Sequence, residues 1–195
     1  DQEEIVSSMI NQVDEINIRN TIIKLSAYQN RYYKSKTGEE SQKYIFDTWA
    51  SLVQGRTDAK VEYYRHSGWG QPSVVLTLEG SSTETIVVGG HADSIAGWWG
   101  GAEARAPGAD DNASGISTIT EIIRILVANN FHPSKTVKFM AYAAEEVGLL
   151  GSKEIAQSHK QQNVDVVGVL QLDMTNFNGS KEDIVLMTDY TNDAQ

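Results

Sequence analysis

Apolar residues recur at helical spacing over the first part of the chain. Those of the segment 20–33 are Ile22, Ile23, Leu25, Tyr28 and Tyr32. Their spacing predicts a helix with one buried face. A second helix is predicted over 37–55, where Thr37 can cap the first turn and Gly55 can end the last one.

Beyond these helices the pattern changes to short runs of β-branched and aromatic residues, which predict strands. The runs lie at 59–68, 73–80, 84–94, 135–146, 165–175 and 183–189. The short connection between the first two predicts an antiparallel hairpin at the edge of a sheet. Two helical patterns, 108–130 and 148–162, separate later strands, and the first of them carries a single apolar stripe.

Strands that alternate with helices predict an α/β fold, because parallel strands need crossover helices that cover the faces of the sheet. We therefore expect a three-layer α/β/α domain with a mixed, mostly parallel central sheet. A chain of 195 residues is long enough for one such domain.

The charge balance narrows the range of functions. The sequence has 26 Asp and Glu against 16 Lys and Arg, a net charge of −10. Because binding of nucleic acid needs clustered basic residues, this balance argues against a nucleic-acid partner. No apolar run is long enough to cross a membrane, so no membrane partner is expected. With no cysteine in the sequence, thiolate metal sites and cysteine nucleophiles are excluded.

Polar side chains are concentrated where the predicted strands end, which is where binding sites form in an open α/β sheet. The four clusters are His91 and Asp93, Asp110 and Asp111, Glu145 and Glu146, and Asp173. Taken alone, the first three clusters have ordinary interpretations, as a loop histidine, helix-capping acids or the acidic start of a helix. Asp173 is unusual even alone, because it interrupts an apolar strand pattern. Together they would place at least four carboxylates on one rim of the sheet.

Such a rim needs a compensating positive charge, because unpaired buried carboxylates are costly or become protonated. The basic residues nearest in sequence are Arg105 and Lys153, and neither stands next to a cluster. A metal cation is the simpler solution. Imidazole and carboxylates without thiolate suit zinc, with cobalt or manganese as alternatives. Since the acids outnumber the ligands of one tetrahedral ion, we expect two ions with a bridging aspartate, and a glutamate that acts as base on water.

Four motifs, GGHADS, PGADDNASG, AAEEVGLLGS and LQLDMT, occur in this order along the chain. In order and spacing they resemble the motifs of M28-type zinc aminopeptidases, especially the secreted bacterial leucyl aminopeptidases. The resemblance extends from about Tyr28 to Tyr190. It implies a phosphorylase/hydrolase-like zinc exopeptidase fold, two zinc ions, peptide substrates with a free N-terminus, and an extracellular location.

The resemblance also implies a role for individual residues. His91 and Asp173 would bind one zinc ion and Glu146 the other. Asp111 would bridge the two ions. Glu145 would be the general acid and base, so that the two adjacent glutamates have different tasks.

Asp93 would be the carboxylate that orients the His91 ring. Asn112 stands where close relatives often have aspartate, and the peptide bond before it is cis in those relatives. Met174 and Met187 would help to line an apolar pocket for a Leu-like side chain, although packing in the core explains both residues equally well.

One departure from the family pattern is large. The fifth ligand of the family is a histidine far downstream, whereas the last histidine here is His159, which precedes Asp173 and lies in a predicted surface helix. The second zinc site, on Asp111 and Glu146, is therefore one ligand short. We expect residues 1–195 to be the N-terminal two-thirds of a catalytic domain, with the missing C-terminal segment as a partner.

Three functions remain open at this point. The first is a two-zinc aminopeptidase that releases large hydrophobic N-terminal residues. The second is a glutaminyl-cyclase-like acyl transferase with a single zinc ion, which a count of bound zinc would distinguish. The third is a non-catalytic, receptor-like relative that has lost its metals, and the presence of every expected ligand within the covered span argues against it.

Overall fold

The computed structural model describes residues 2–97 and 100–176, together with residues 185 and 187. The helices within these ranges are α1 (Gln2–Ile10), α2 (Glu15–Ser26), α3 (Lys36–Leu52), α4 (Gly115–Ala128) and α5 (Leu150–Gln161). The strands are β1 (Ala59–Tyr64), β2 (Ser73–Leu78), β3 (Ser82–His91), β4 (Lys135–Tyr142) and β5 (Val166–Gln171). An irregular turn, Ala109–Ser114, leads into α4, and the backbone angles of Asp111 and Asn112 within it are not helical.

The five strands form one mixed sheet in the order β1-β2-β4-β3-β5. β2 runs antiparallel to both of its neighbours, β1 and β4. β3 runs parallel to β4 and to β5, so four of the five strands point in the same direction. The predicted antiparallel hairpin at the edge is confirmed, as is the alternation of parallel strands with helices after it.

Both faces of the sheet are covered by helices, which confirms the three layers. Alternate residues of β2 and β4 point to opposite faces, as the pleat of a strand requires. Leu76 and Phe139 pack with Trp49 of α3 and the isoleucines of α4 in the larger core. Met140 packs on the opposite face with Ile155 of α5. The carboxyl ends of β3, β4 and β5 therefore emerge together between the two helical layers.

The helix predicted over 20–33 is shorter than its apolar spacing indicates. α2 ends at Ser26, and the segment that follows is a loop. Asn30, which is completely buried, holds this loop by donating from Nδ2 to the carbonyl oxygens of Ala102 (2.7 Å) and Ala104 (2.9 Å). The segment after Ser26 is thus bonded to distant backbone instead of continuing the helix.

The start of α3 also differs from the prediction. Ser35, rather than Thr37, is the N-cap, and its Oγ accepts a hydrogen bond from the amide of Gly38 at 2.9 Å. Thr37 lies inside the first turn, while Gly55 follows the helix in a turn with φ of +88°. Both residues can cap a helix, so the sequence alone does not decide between them.

β5 borders the described part of the sheet and is poorly covered. Val169 and Leu170 are 68% and 44% exposed. A cavity of about 750 Å³ lies between β5 and α5, with a largely apolar lining, and Glu145 and Asp173 stand on its wall. Most of the strand predicted over 183–189 lies outside the described residues. In the described part of the chain, no helix has both the length and the apolar character that a membrane span requires.

Candidate metal centre

The strand order brings three of the four polar clusters to one place. His91 is the last residue of β3 and pairs with Tyr142 at the end of β4, from which the chain leads into Glu145 and Glu146. On the other side of β3, the amide of Leu172 donates to Gly89 at 2.8 Å, which places the next residue, Asp173, beside the end of β3. Parallel neighbours thus end at the same edge, as the sequence predicts.

The fourth cluster lies in the irregular turn, Ala109–Ser114, that precedes α4. Asp111 lies in this turn, and its peptide bond to Asn112 is cis, which confirms the prediction. Asn112 is fully buried, and its Nδ2 donates to the carbonyl oxygen of Leu172 at 2.9 Å. A carboxylate at this position could not donate that bond, so asparagine suits the contact between the turn and the end of β5.

His91, Asp111 and Asp173 form a cluster that could hold a metal ion. The Nε2 atom of His91 lies 2.9 Å from Oδ1 of Asp111 and 3.6 Å from Oδ1 of Asp173. One potential ligand atom from each residue lies within 4.8 Å of the others. His91 is buried, with 1% of its side chain exposed, while the carboxylates are 48% and 41% exposed. The imidazole is therefore fixed in the protein, and the two carboxylates are open to a ligand from solution.

The carboxylates around His91 strongly affect its pKa. Burial lowers the pKa of His91, but hydrogen bonds to Asp111, Asp173 and Asp93 outweigh that effect and raise it to about 12. The hydrogen bond to His91 in turn lowers the pKa of Asp111. Without a metal, the proton on His91 thus supplies the positive charge that the carboxylates require. One imidazole and two carboxylates, with no thiolate, form a donor set that fits zinc.

Asp93 fixes the backbone of the two adjacent glutamates, Glu145 and Glu146. Its carboxylate is completely buried and accepts hydrogen bonds from the amides of Glu145 (2.9 Å, Oδ1) and Glu146 (3.1 Å, Oδ2). The atom of Asp93 nearest to Nδ1 of His91 is its backbone oxygen, at 3.1 Å, with the carboxylate at 3.5 Å. A proton on Nδ1 can bond to this oxygen, which leaves Nε2 directed at Asp111 and Asp173.

The pKa values of the two adjacent glutamates are both raised, so each keeps its proton to a higher pH than an ordinary glutamate does. Burial is the largest cause of the raised pKa of Glu145, whose Oε2 lies 3.9 Å from Nε2 of His91. Burial, followed by repulsion from the Asp111 carboxylate, raises the pKa of Glu146 to about 7. Among the described residues, the charge of His91 only partly offsets that of Glu146.

Two comparisons with known proteins decide the family. The model of peptidase family M28 matches residues 73–195, which is more than half of the chain. Leucine aminopeptidase 1 of Ajellomyces capsulatus is 36% identical over 202 residues, which cover 97% of this chain and 52% of that protein. The chain belongs to peptidase family M28. It spans about half the length of the relatives that it matches.

Solved structures of M28-like proteins share the fold. LapB from Legionella pneumophila matches with a TM-score of 0.82 and 35% identity, over 90% of this chain and 47% of that one. A glutaminyl cyclase from Bacteroides thetaiotaomicron matches with a TM-score of 0.68 and 16% identity, over 86% of this chain and 64% of that one. The second likeness concerns the fold alone, and both confirm the predicted zinc-exopeptidase architecture.

The sequence pattern does not predict that a positively charged residue, Arg31, lies close to the candidate site. Arg31 is completely buried. Its guanidinium donates to the carbonyl oxygens of Leu25, Ala92, Pro107 and Gly108. Burial lowers the pKa of Arg31 to about 10, and the charges of Asp93, Asp111 and Glu146 act in the opposite direction. Arg31 lies in the segment that the apolar spacing predicts as helix, where an arginine would be expected to face solvent.

Three other candidate residues lie outside the metal-binding cluster. His159 is on α5, where its Nδ1 contacts the carbonyl oxygen of Ile155 at 2.9 Å. Met174 and Met187 are 58% and 88% exposed, so neither is packed in the core. Their role in binding a substrate side chain stays a prediction.

Proposed function

We propose that this chain forms the metal-binding part of a zinc aminopeptidase that releases large hydrophobic, Leu-like residues from peptides. The proposal rests above all on the cluster of His91, Asp111 and Asp173, with Glu145 beside it. Membership of family M28 supports peptide-bond hydrolysis, and the relatives named leucine aminopeptidase support the choice of N-terminal residue.

In the proposed arrangement two zinc ions would share one ligand, and the described residues bring together the ligands of the first ion only. His91 and Asp173 would hold one ion, Glu146 would hold the other, and Asp111 would lie between them. When bound, the ions would lower the pKa of a water molecule and polarise the carbonyl group of the scissile bond. A second ion would also supply the positive charge that Glu146 lacks, since its raised pKa shows poor compensation by the protein.

Glu145 is suited to move the proton during hydrolysis. Its carboxylate lies at the edge of the metal cluster, and burial raises its pKa towards the range in which a carboxylate can both accept and release a proton. We assign it the acceptance of a proton from the attacking water and the delivery of that proton to the leaving amine. The hydrogen bond from its amide to Asp93 fixes the backbone that carries it.

The carboxylates around the metal-binding cluster would explain why the substrate needs a free N-terminus. A protonated or metal-bound amine is favoured near several carboxylates, whereas an acetylated amine has neither charge nor a free lone pair. The apolar cavity of about 750 Å³ that opens beside Glu145 and Asp173 can contact an uncharged part of the substrate or of the protein.

The described residues cover strand β5 poorly, which indicates where further parts of the fold would pack. Val169 and Leu170 expose apolar surface, and the relatives are about twice as long as the matched region. We propose that a C-terminal segment of the same domain covers this strand and supplies the ligand that the Glu146 site lacks.

The function can be tested with two substrates that differ in one group. The full-length protein, loaded with zinc, should hydrolyse leucine p-nitroanilide and leave its N-acetylated form intact. Equal rates on both would favour an amidase or endopeptidase instead. A count of one zinc ion per active molecule, with cyclisation of an N-terminal glutamine, would favour the glutaminyl-cyclase-like function.

A further inference from the structure

A buried chain of hydrogen bonds lies behind the loop that carries Glu145 and Glu146. We propose that His66 is a positioning residue, which acts through Ser73 on the amide of Ala143 and so fixes this loop. The proposal rests on the function proposed above for the roles of the two glutamates. Nothing in the sequence motifs points to His66, which stands in the connection between β1 and β2.

The chain of bonds joins four separate parts of the fold. Nδ1 of His66 lies 2.7 Å from Oε2 of Glu154 on α5. Nε2 of His66 lies 2.8 Å from Oγ of Ser73, the first residue of β2. The same Oγ accepts a hydrogen bond from the amide of Ala143 at 2.9 Å. The His66 side chain is 0% exposed, and its ring stacks on Trp69 with centroids 4.6 Å apart.

The direction of these bonds follows from the carboxylate of Glu154, which accepts, so Nδ1 of His66 carries a proton and donates it there. Burial lowers the pKa of His66, which favours the neutral ring. In that ring Nε2 accepts from the Ser73 hydroxyl, whose oxygen also accepts the amide of Ala143. Every polar atom of the ring is thereby satisfied.

Ala143 is the point at which this chain reaches the candidate site. It follows the last residue of β4. The next residue, Ala144, has a left-handed φ of +55°, which is unfavourable for residues with a Cβ atom. The amide of Leu150 donates to the carbonyl oxygen of Ala144 at 2.9 Å. The start of α5 packs directly against this backbone at Gly151. A Cβ added to Gly151 would lie only 2.1 Å from the carbonyl oxygen of Ala143.

The loop is thus held from two sides. Asp93 accepts the amides of Glu145 and Glu146 on the side of the metal cluster. Ser73 accepts the amide of Ala143 on the opposite side, and His66 orients the Ser73 hydroxyl. Loss of either support would free the backbone to move by a fraction of an ångström, a displacement that catalysis is sensitive to.

Ser73, His66 and Glu154 are the residue types of a serine hydrolase triad, but Ser73 cannot act as a nucleophile here. Its exposed fraction is 0%, and its oxygen already accepts the amide of Ala143. A nucleophilic hydroxyl needs access to a substrate carbonyl. The geometry therefore favours a structural relay to the glutamates rather than a second hydrolytic site.

Paired amide substitutions of the histidine separate its two bonds. In His66→Gln the side-chain amide can replace Nε2 and accept from Ser73, whereas in His66→Asn it can replace only Nδ1 and bond to Glu154. In the full-length, zinc-loaded protein, His66→Asn and Ser73→Ala should each lower kcat about tenfold with KM changed less than twofold. His66→Gln should stay within about threefold of wild type, and the double variant His66→Asn with Ser73→Ala should be no worse than Ser73→Ala alone.

Amide hydrogen exchange of Glu145 and Glu146 measures the loop directly and needs no substrate. It should accelerate about tenfold in His66→Asn and Ser73→Ala but remain unchanged in the control Gln157→Ala, an exposed position on α5. Exchange and kcat at wild-type levels in Ser73→Ala would overturn the proposal, as would equal losses in the Gln and Asn variants. If the wild type hydrolyses no peptide, the proposed function fails, while the exchange measurement still decides the positioning role.

Discussion

The two halves of the candidate site are assembled by different means. The His91 half consists of side chains that converge on one point, with ligand atoms of His91, Asp111 and Asp173 within 4.8 Å of one another. The half that carries Glu145 and Glu146 is fixed chiefly through its backbone, whose amides bond to the buried carboxylate of Asp93. The His91 half is thus organised by converging side chains, and the glutamate half by hydrogen bonds of its main chain.

The halves also differ in how their charges are compensated. His91 and Asp111 form an ion pair, so the pKa of the histidine is raised and that of the aspartate is lowered. Among the described residues Glu146 has no such ion pair, and burial with repulsion from Asp111 raises its pKa to about 7. This difference fits the proposal that the second half needs a cation and a further ligand.

Replacement of His91 should have the largest effect. In the full-length protein, His91→Ala removes the buried ligand that fixes the first ion, so zinc content should fall and hydrolysis of leucine p-nitroanilide should drop by more than about 10²-fold. His159→Ala is the matched control, because His159 bonds to the backbone of α5 and should leave zinc content unchanged. A loss of zinc in the control alone would place the centre elsewhere.

Replacement of Glu145 should separate chemistry from metal binding. Glu145→Ala removes the proposed proton carrier but no proposed ligand, so zinc content should stay near that of wild type while kcat falls by roughly 10²-fold or more. Glu146→Ala should instead deplete one ion. The opposite pattern in zinc content would show that the roles of the two glutamates are exchanged.

A smaller effect is expected in the stability of the metal-free protein. Since the pKa of Glu146 is raised in the folded state, the folded chain binds its proton more tightly than the unfolded chain does, and the resulting stabilisation is lost as pH rises through about 7. Glu146→Gln cannot titrate. The free energy of unfolding of this variant, relative to wild type, should therefore rise by roughly 2 kcal/mol between pH 5 and pH 8. Urea titrations in chelator would measure it, and a difference that is flat with pH would contradict the assignment.

Much of the first half could be predicted from sequence, because its residues stand at the ends of strands that the pattern identifies. Parallel neighbours end at one edge of a sheet, so His91 and Asp173 come together once β3 and β5 are recognised. The antiparallel hairpin and the three layers follow from the change of apolar period. No long-range information is needed for these steps.

Other features depend on contacts that no local pattern encodes. Arg31 lies near the acidic rim only because the segment after α2 forms a loop, where its guanidinium finds backbone carbonyls from distant parts of the chain. Tyr28 and Tyr32 keep helical spacing although α2 ends before them. The hydrogen bonds of His66 join Ser73, seven residues away, to Glu154, which lies 88 residues from His66 in the sequence. Hydrogen bonds of this kind are decided by tertiary packing, which a single sequence does not display.

The zinc stoichiometry of the 195-residue chain by itself tests the difference between the two halves most directly. Equilibrium dialysis of the purified chain, followed by metal analysis, should give one tightly bound zinc ion that is lost in His91→Ala and retained in Glu146→Ala. The described residues provide three converging ligands at His91 and no such cluster at Glu146. Two tightly bound ions per chain, or one that survives His91→Ala, would contradict the account.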